Sequence, residues 1–143
     1  MVSWDLVEPE EGKFDWTLVD GLIEEARRED LRLMLLWFGS WKNGLSHYIP
    51  DWVKADDDRF PRAKVRDGTL EILSTLAPAN WEADAKAYAA FMQHLQEVDG
   101  DQHTVIMISY DMETQAANRQ TGTGLRFRSP APSILRAKLY RFK

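Results

Sequence analysis

The chain contains no cysteine. That excludes disulfides, thiol nucleophiles and thiolate metal sites, and leaves the redox compartment open. No apolar run approaches the roughly 18 residues that a membrane-spanning helix needs, and no charged-then-apolar leader opens the sequence. Glycine-rich phosphate loops are absent as well. Positive charge is in deficit, with 18 Lys and Arg against 23 Asp and Glu and a net charge of −5, so no global nucleic-acid or membrane surface is expected. The histidines His47, His94 and His103 lack the spacing of a metal site, and His94 falls inside a helical pattern, which suits a structural or solvent-facing role. Asp56-Asp57-Asp58 lacks the glycine and distal glutamate of a calcium loop and reads as a solvated charge run or helix cap.

What is present suits one domain. The length is 143 residues with 44% hydrophobic content, enough for a core. Six Trp, six Phe and four Tyr are many for this length. Such aromatics either line a carbohydrate or peptide groove or build a large aromatic core, and composition alone leaves both open.

Charge divides the chain. Residues 1–108 carry 21 acidic and 11 basic side chains, net −10, whereas residues 109–143 carry 2 and 7, net +5. A shift of this kind marks a boundary between a packed region and something else. The basic residues Arg126, Arg128, Arg136, Lys138, Arg141 and Lys143 are interrupted by Pro130 and Pro132 and form no nucleic-acid motif.

Residues 1–108 alternate strand and helix. Val2–Trp4 reads as the end of a strand, so the domain is expected to begin inside an element. Glu8-Pro9-Glu10-Glu11-Gly12 is a turn. Asp15 sits where a helix N-cap belongs, and Leu18, Leu22, Ile23 and Ala26 follow at helical spacing. Leu31–Phe38 is apolar apart from Arg32, as in a strand buried on both faces, and Gly39 ends it. A long connection from Ser40 to about Pro78 without clear periodicity reads as a functional loop. A helix is predicted over Trp81–Val98, with Trp81, Ala85, Tyr88, Phe91, Met92, Leu95 and Val98 on one stripe and Gly100 closing it. Thr104–Ile108 is a buried-type strand. This order implies parallel strands joined by right-handed crossovers.

In parallel barrels the chemistry lies after the carboxyl ends of the strands. Trp4, Asp5 and Glu8 follow the first strand. Trp37, Ser40, Trp41, Lys42, Asn43 and Tyr48 lie at or after the end of the second, and Ser109, Tyr110, Asp111 and Glu113 after the third. Aromatic rings stack on pyranose faces while amides, amines and carboxylates bond hydroxyls, so this mixture suits a sugar.

These residues resemble a family. Trp4, Glu8-Pro9, Gly12, Phe14-Asp15-Trp16 and Asp20 are similar to the W…EPxxGxFDW…D signature of clan A glycoside hydrolases, especially the β-galactosidases of families 35 and 42. The run LLWFGSWKNGLSHYIPDWVK resembles the bacterial and fungal branch of family 35. The sequences RFPR at 59–62, LST at 73–75 and ADAKAY at 83–88 continue the likeness over residues 2–108. The resemblance implies a (β/α)8 TIM barrel of which residues 1–108 supply about strands 2 to 4, and residues 109–143 then form a divergent basic tail of disordered character. It implies hydrolysis of terminal β-galactosides with retention of configuration, and neither metal nor organic cofactor. It implies that Asn43 and Trp41 line the sugar pocket; Trp37 and Tyr48, at the same strand end, are expected to contact substrate with them, with Trp37 alternatively core and Glu8 alternatively orienting the turn backbone.

A retaining glycosidase needs two carboxyl groups roughly 5–5.5 Å apart. The family places the acid/base at the end of the fourth strand, after an Asn, and the nucleophile at the end of the seventh. Gln-Val-Glu-Asn-Glu is expected after Ile108, where this chain has Ser109-Tyr110-Asp111-Met112-Glu113. Glu113 falls at the acid/base position, with Met112 in place of the Asn. Either Glu113 keeps that role, or the sequence has left the family frame at residue 109 and the match is fortuitous. No strand in the chain is expected to carry the nucleophile, and three strands leave open sheet edges through which the chain is expected to self-associate.

Overall fold

The structure, a computed structural model, describes residues 1–40 and 47–110. Its centre is a three-stranded parallel sheet in the order β1-β2-β5, formed by β1 (Val2–Ser3), β2 (Leu33–Phe38) and β5 (Val105–Tyr110). Between β1 and β2 lie the one-turn helix α1 (Trp4–Val7) and the longer α2 (Thr17–Arg28). Between β2 and β5 lie α3 (Asp51–Lys54), a hairpin of β3 (Arg62–Val65) and β4 (Gly68–Leu73), and α4 (Pro78–Asp99). Parallel neighbours need crossovers of this kind, because a tight turn cannot return the chain in the same direction. The arrangement is mixed α/β and compatible with part of a barrel.

The helices form for local reasons and dock by their apolar stripes. At the start of α2 the Thr17 backbone N–H donates to Asp15 Oδ1 at 2.9 Å, satisfying one of the amides that have no partner within the helix. Val19, Ile23 and Ala26 are its buried residues. Ile23 and Ala26 are buried as expected and Leu22 packs against the core, but in the first turn Val19 rather than Leu18 faces inward, and Leu18 is exposed. Pro78 occupies the first turn of α4, where its missing N–H has no cost. That helix buries Asn80, Asp84, Ala87, Phe91, Leu95 and Asp99, a regular inward stripe that includes three polar residues. Trp81 and Met92, expected inward, face outward.

The core lies between these helices and one face of the sheet. Trp37 is fully buried, stacked on Phe91 with centroids 5.1 Å apart and tilted against Tyr88 at 5.6 Å. Trp16 continues the cluster, 6.2 Å from Phe91. The opposite face corrects the expectation of a strand buried on both sides. Met34 is 62% exposed, Ile106 57% and Met107 46%, because the described helices pack only on the side of Leu35 and Trp37. Pairing shifts register after Leu33↔Val105, so that Met34 sits opposite Met107.

The segment expected to be a structureless loop is also corrected. Val65 pairs with Gly68 across Arg66-Asp67, a two-residue hairpin loop with Gly68 next to Asp67, the Asp-Gly pair that favours tight turns. Among the described residues, no helix is long and apolar enough to cross a membrane.

Candidate functional site

Because β1, β2 and β5 are parallel, Ser3, Phe38 and Tyr110 end at one edge of the sheet. The chain leaving β1 is fixed by a buried glutamate. Glu8 is 6% exposed; its Oε2 accepts from the Trp4 indole N–H at 2.6 Å and its Oε1 from the Gly12 backbone N–H at 2.8 Å. Gly12 has φ +73°, which an L side chain rarely adopts. The Trp52 indole donates to the Glu8 carbonyl at 3.1 Å, and its ring meets Trp4 edge to face at 5.9 Å. Glu8 thus orients the turn, the alternative to a sugar-facing role.

The exit from β2 is held from three sides. Asp84, 4% exposed on α4, accepts at Oδ2 from the Ser40 backbone N–H at 2.9 Å and the Ser40 hydroxyl at 2.6 Å. Gly39 leaves room for that carboxylate, since a Cβ there would stand 2.3 Å from Asp84 Oδ1. Downstream, the Tyr48 backbone N–H donates to Gly39 O at 3.3 Å, and Tyr48 O accepts from the Asp5 N–H at 3.0 Å. The Tyr48 ring lies 4.9 Å from Phe38. Gly39 and Tyr48 are thus held together at one place on the carboxyl edge.

Beside this edge an open cavity of about 380 Å³ is lined by His47, Lys54, Asp57, Arg62, Thr69, Leu70 and Glu71. Burial first, then the neighbouring Lys54 and Arg62 charges, push the His47 imidazole below its ordinary pKa, which keeps it neutral near pH 7. Its carboxylates and cations balance, and no group of three His, Asp or Glu able to hold a metal occurs among the described residues. Of the Asp56–Asp58 run, Asp56 accepts from the Arg59 N–H at 3.0 Å and Asp57 pairs with Arg62 at 3.2 Å.

The opposite edge of the sheet is a closed polar network. Asp99 accepts from the Thr104 and Val105 backbone amides at 3.1 and 2.7 Å and from Arg27 at 2.6 Å. Arg27 also donates to Thr104 Oγ1 and the Val98 carbonyl. Burial raises the Asp99 pKa, but these hydrogen bonds from Val105, Thr104 and Arg27 outweigh it and the net shift is downward. His94 hydrogen-bonds Asp20 at 2.6 Å and stacks on Trp16. That is a helix-to-helix contact rather than a metal ligand.

Of the residues expected to meet substrate, Tyr48 stands at the carboxyl edge, half-buried. Trp37 lies beneath that edge in the aromatic core, the position of the second reading of the aromatics. Trp41, Asn43 and Glu113 lie outside the described residues, and Glu113 is three positions beyond the end of β5. Sequence reasoning named Ser40 at the strand end but passed over Asp84, which holds it. The signal was available: an aspartate in helical register with Ala87, Phe91 and Leu95 requires a buried partner.

No curated protein matches the chain. Residues 1–121 match glycoside hydrolase family 42, described as β-galactosidase. The match runs past residue 108 and includes Glu113, and it supports β-galactosidase membership without singling out family 35. The parallel strands, with aromatic and carboxylate side chains at their carboxyl ends, are what that match covers, and the chain belongs to the β-galactosidase family 42 of glycoside hydrolases.

Proposed function

We propose that residues 1–143 provide the β-galactoside-facing rim of a (β/α)8 barrel, corresponding to about strands 2 to 4. The match over residues 1–121, laid on three parallel strands with one shared carboxyl edge, carries this reading. Trp41, Asn43 and Tyr48 contact the sugar, and Trp37 anchors the strand end beneath them. Glu113 is the acid/base. Its place three residues after β5, inside the matched span, supports that role over a chance match. Its task is to protonate the leaving oxygen while a second carboxylate attacks the anomeric carbon with retention. Residues 1–143 by themselves lack that nucleophile, need no metal or organic cofactor, and do not turn over β-galactosides efficiently. The likeness of residues 35–54 to the bacterial and fungal branch of family 35 supports a kinship of this rim with that branch.

The test is hydrolysis of a nitrophenyl β-galactoside by the purified chain, alongside binding of a non-hydrolysable thiogalactoside. Binding without turnover is expected. Efficient turnover abolished by Glu113→Gln would keep the acid/base assignment and overturn the inactivity; absence of binding would overturn the rim itself.

A second reading rests on the open sheet face. Met34, Ile106 and Met107 are exposed, and patches of this kind mark interaction surfaces. In this reading the chain is a catalytically dead carbohydrate-binding or protein-interaction remnant that self-associates through its open edges. Sedimentation of Met34→Lys against the parent chain decides it, since a fall in association would favour that surface.

A further inference from the structure

Asp84 stands out as a buried carboxylate spent on the backbone of another element. It lies on α4, yet its Oδ2 accepts two hydrogen bonds from Ser40, two residues after the end of β2. A carboxylate accepting a backbone amide and a hydroxyl in a buried setting fixes direction as well as position, because both bonds must be met at once. Gly39 belongs to the same device: any side chain there would collide with the carboxylate. The returning chain is fixed separately, by Tyr48 to Gly39 O and by Asp5 to Tyr48 O. Asp84 thus holds the exit of the chain through Ser40, while Tyr48 and Asp5 tie its return at the same edge.

We propose that Asp84 is a positioning residue for β-galactoside recognition, setting the direction in which the chain leaves β2 at Gly39-Ser40. This rests on the sugar-rim reading above. Asp84 does not touch the sugar; it acts through Ser40. A residue that only filled the core could be replaced by equivalent volume without loss of binding. A positioning residue could not.

That distinction gives the experiment. Asp84→Ala, Asp84→Asn and the double variant Asp84→Ala with Gly39→Ala are compared with the parent chain. In the double variant the added Cβ fills space that the carboxylate vacates. Each is titrated with isopropyl β-D-thiogalactoside, and thermal stability and hydrogen exchange at the Ser40 amide are followed. Asp84→Ala is expected to weaken binding about tenfold, the effect of losing a charge-assisted pair of bonds, and to speed Ser40 exchange. Asp84→Asn, which keeps one acceptor oxygen, falls between. The double variant regains stability but neither binding nor Ser40 protection. Unchanged binding in Asp84→Ala, or binding that returns with stability in the double variant, would overturn the proposal. Should the parent chain bind no thiogalactoside, the rim reading fails and the positioning proposal fails with it. Faster Ser40 exchange in Asp84→Ala would then show the contact to be structural only.

Discussion

The two edges of the sheet are built with similar polar chemistry and different purposes. At the amino edge, Asp99, Arg27 and Thr104 satisfy one another across α2, α4 and β5. At the carboxyl edge, Glu8 and Asp84 spend their oxygens on backbone amides and on side chains that lead into loops. One edge closes on itself; the other holds connecting segments outward. In parallel barrels the first pattern serves stability and the second serves binding, so damage to the two edges should separate in its effects.

The largest effect expected is at the amino edge. Asp99→Ala leaves Arg27 and two backbone amides without their buried partner and should cost about 3 kcal/mol of stability. Denaturant unfolding at fixed protein concentration measures it, with galactoside binding by the remaining folded chain unchanged. A loss of binding larger than the loss of folded fraction would erase the contrast between the edges.

At the carboxyl edge, Glu8→Gln replaces one of two accepting oxygens by a donor facing either Trp4 or Gly12. A smaller cost of about 1–2 kcal/mol is expected, with faster amide exchange at Gly12 as its local signature. Equal exchange in variant and parent would show that the carboxylate does not order the turn.

Acid should weaken the amino edge. The folded Asp99 pKa lies below its ordinary value of 3.8, so the unfolded chain binds this proton more readily. Its contribution is therefore full above that ordinary value and is lost as pH falls through the lower, folded one. Asp99→Asn should flatten this part of the stability profile below pH 4. A slope that survives the substitution assigns the acid sensitivity elsewhere.

The smallest effect belongs to the exposed pair of Arg59 with Glu11, although it is bidentate at 2.8 and 2.6 Å. Its hydrogen bonds lower the Glu11 pKa, yet solvent and salt screen such pairs. Glu11→Gln should leave the melting temperature unchanged. A clear fall would mean that the Glu10–Lys13 turn depends on this tie.

How much of this was legible in the sequence follows the same division. The parallel order was readable because β2 and β5 are apolar runs spaced by helical segments, and Gly39 and Gly100 fall just after a strand and a helix. The hairpin was not, although Arg62-Ala63-Lys64-Val65 and Thr69-Leu70-Glu71-Ile72 alternate polar and apolar residues around Asp67-Gly68, because runs of four residues carry only a weak period-2 signal. Helix stripes were read from apolar residues alone, so Asn80, Asp84 and Asp99 were not counted inward. Yet these three hold long-range polar contacts of α4, alongside His94. Burial on both faces of β2 was inferred from composition, and composition cannot say which face has a neighbour. At the site, the lineage was legible in the Trp4–Asp20 signature. The clasp at Ser40 was not, since it joins residues 44 positions apart.

The most direct test of the account is to map where a galactoside binds. Isopropyl β-D-thiogalactoside is titrated into the isotope-labelled chain, and backbone and indole NMR shifts are followed. The account predicts changes gathered at Asp5, Gly39, Ser40 and Tyr48, with Arg27, Val98 and Thr104 unmoved. Shifts centred on the Arg27–Asp99 edge, or no shifts in a folded sample, would contradict it.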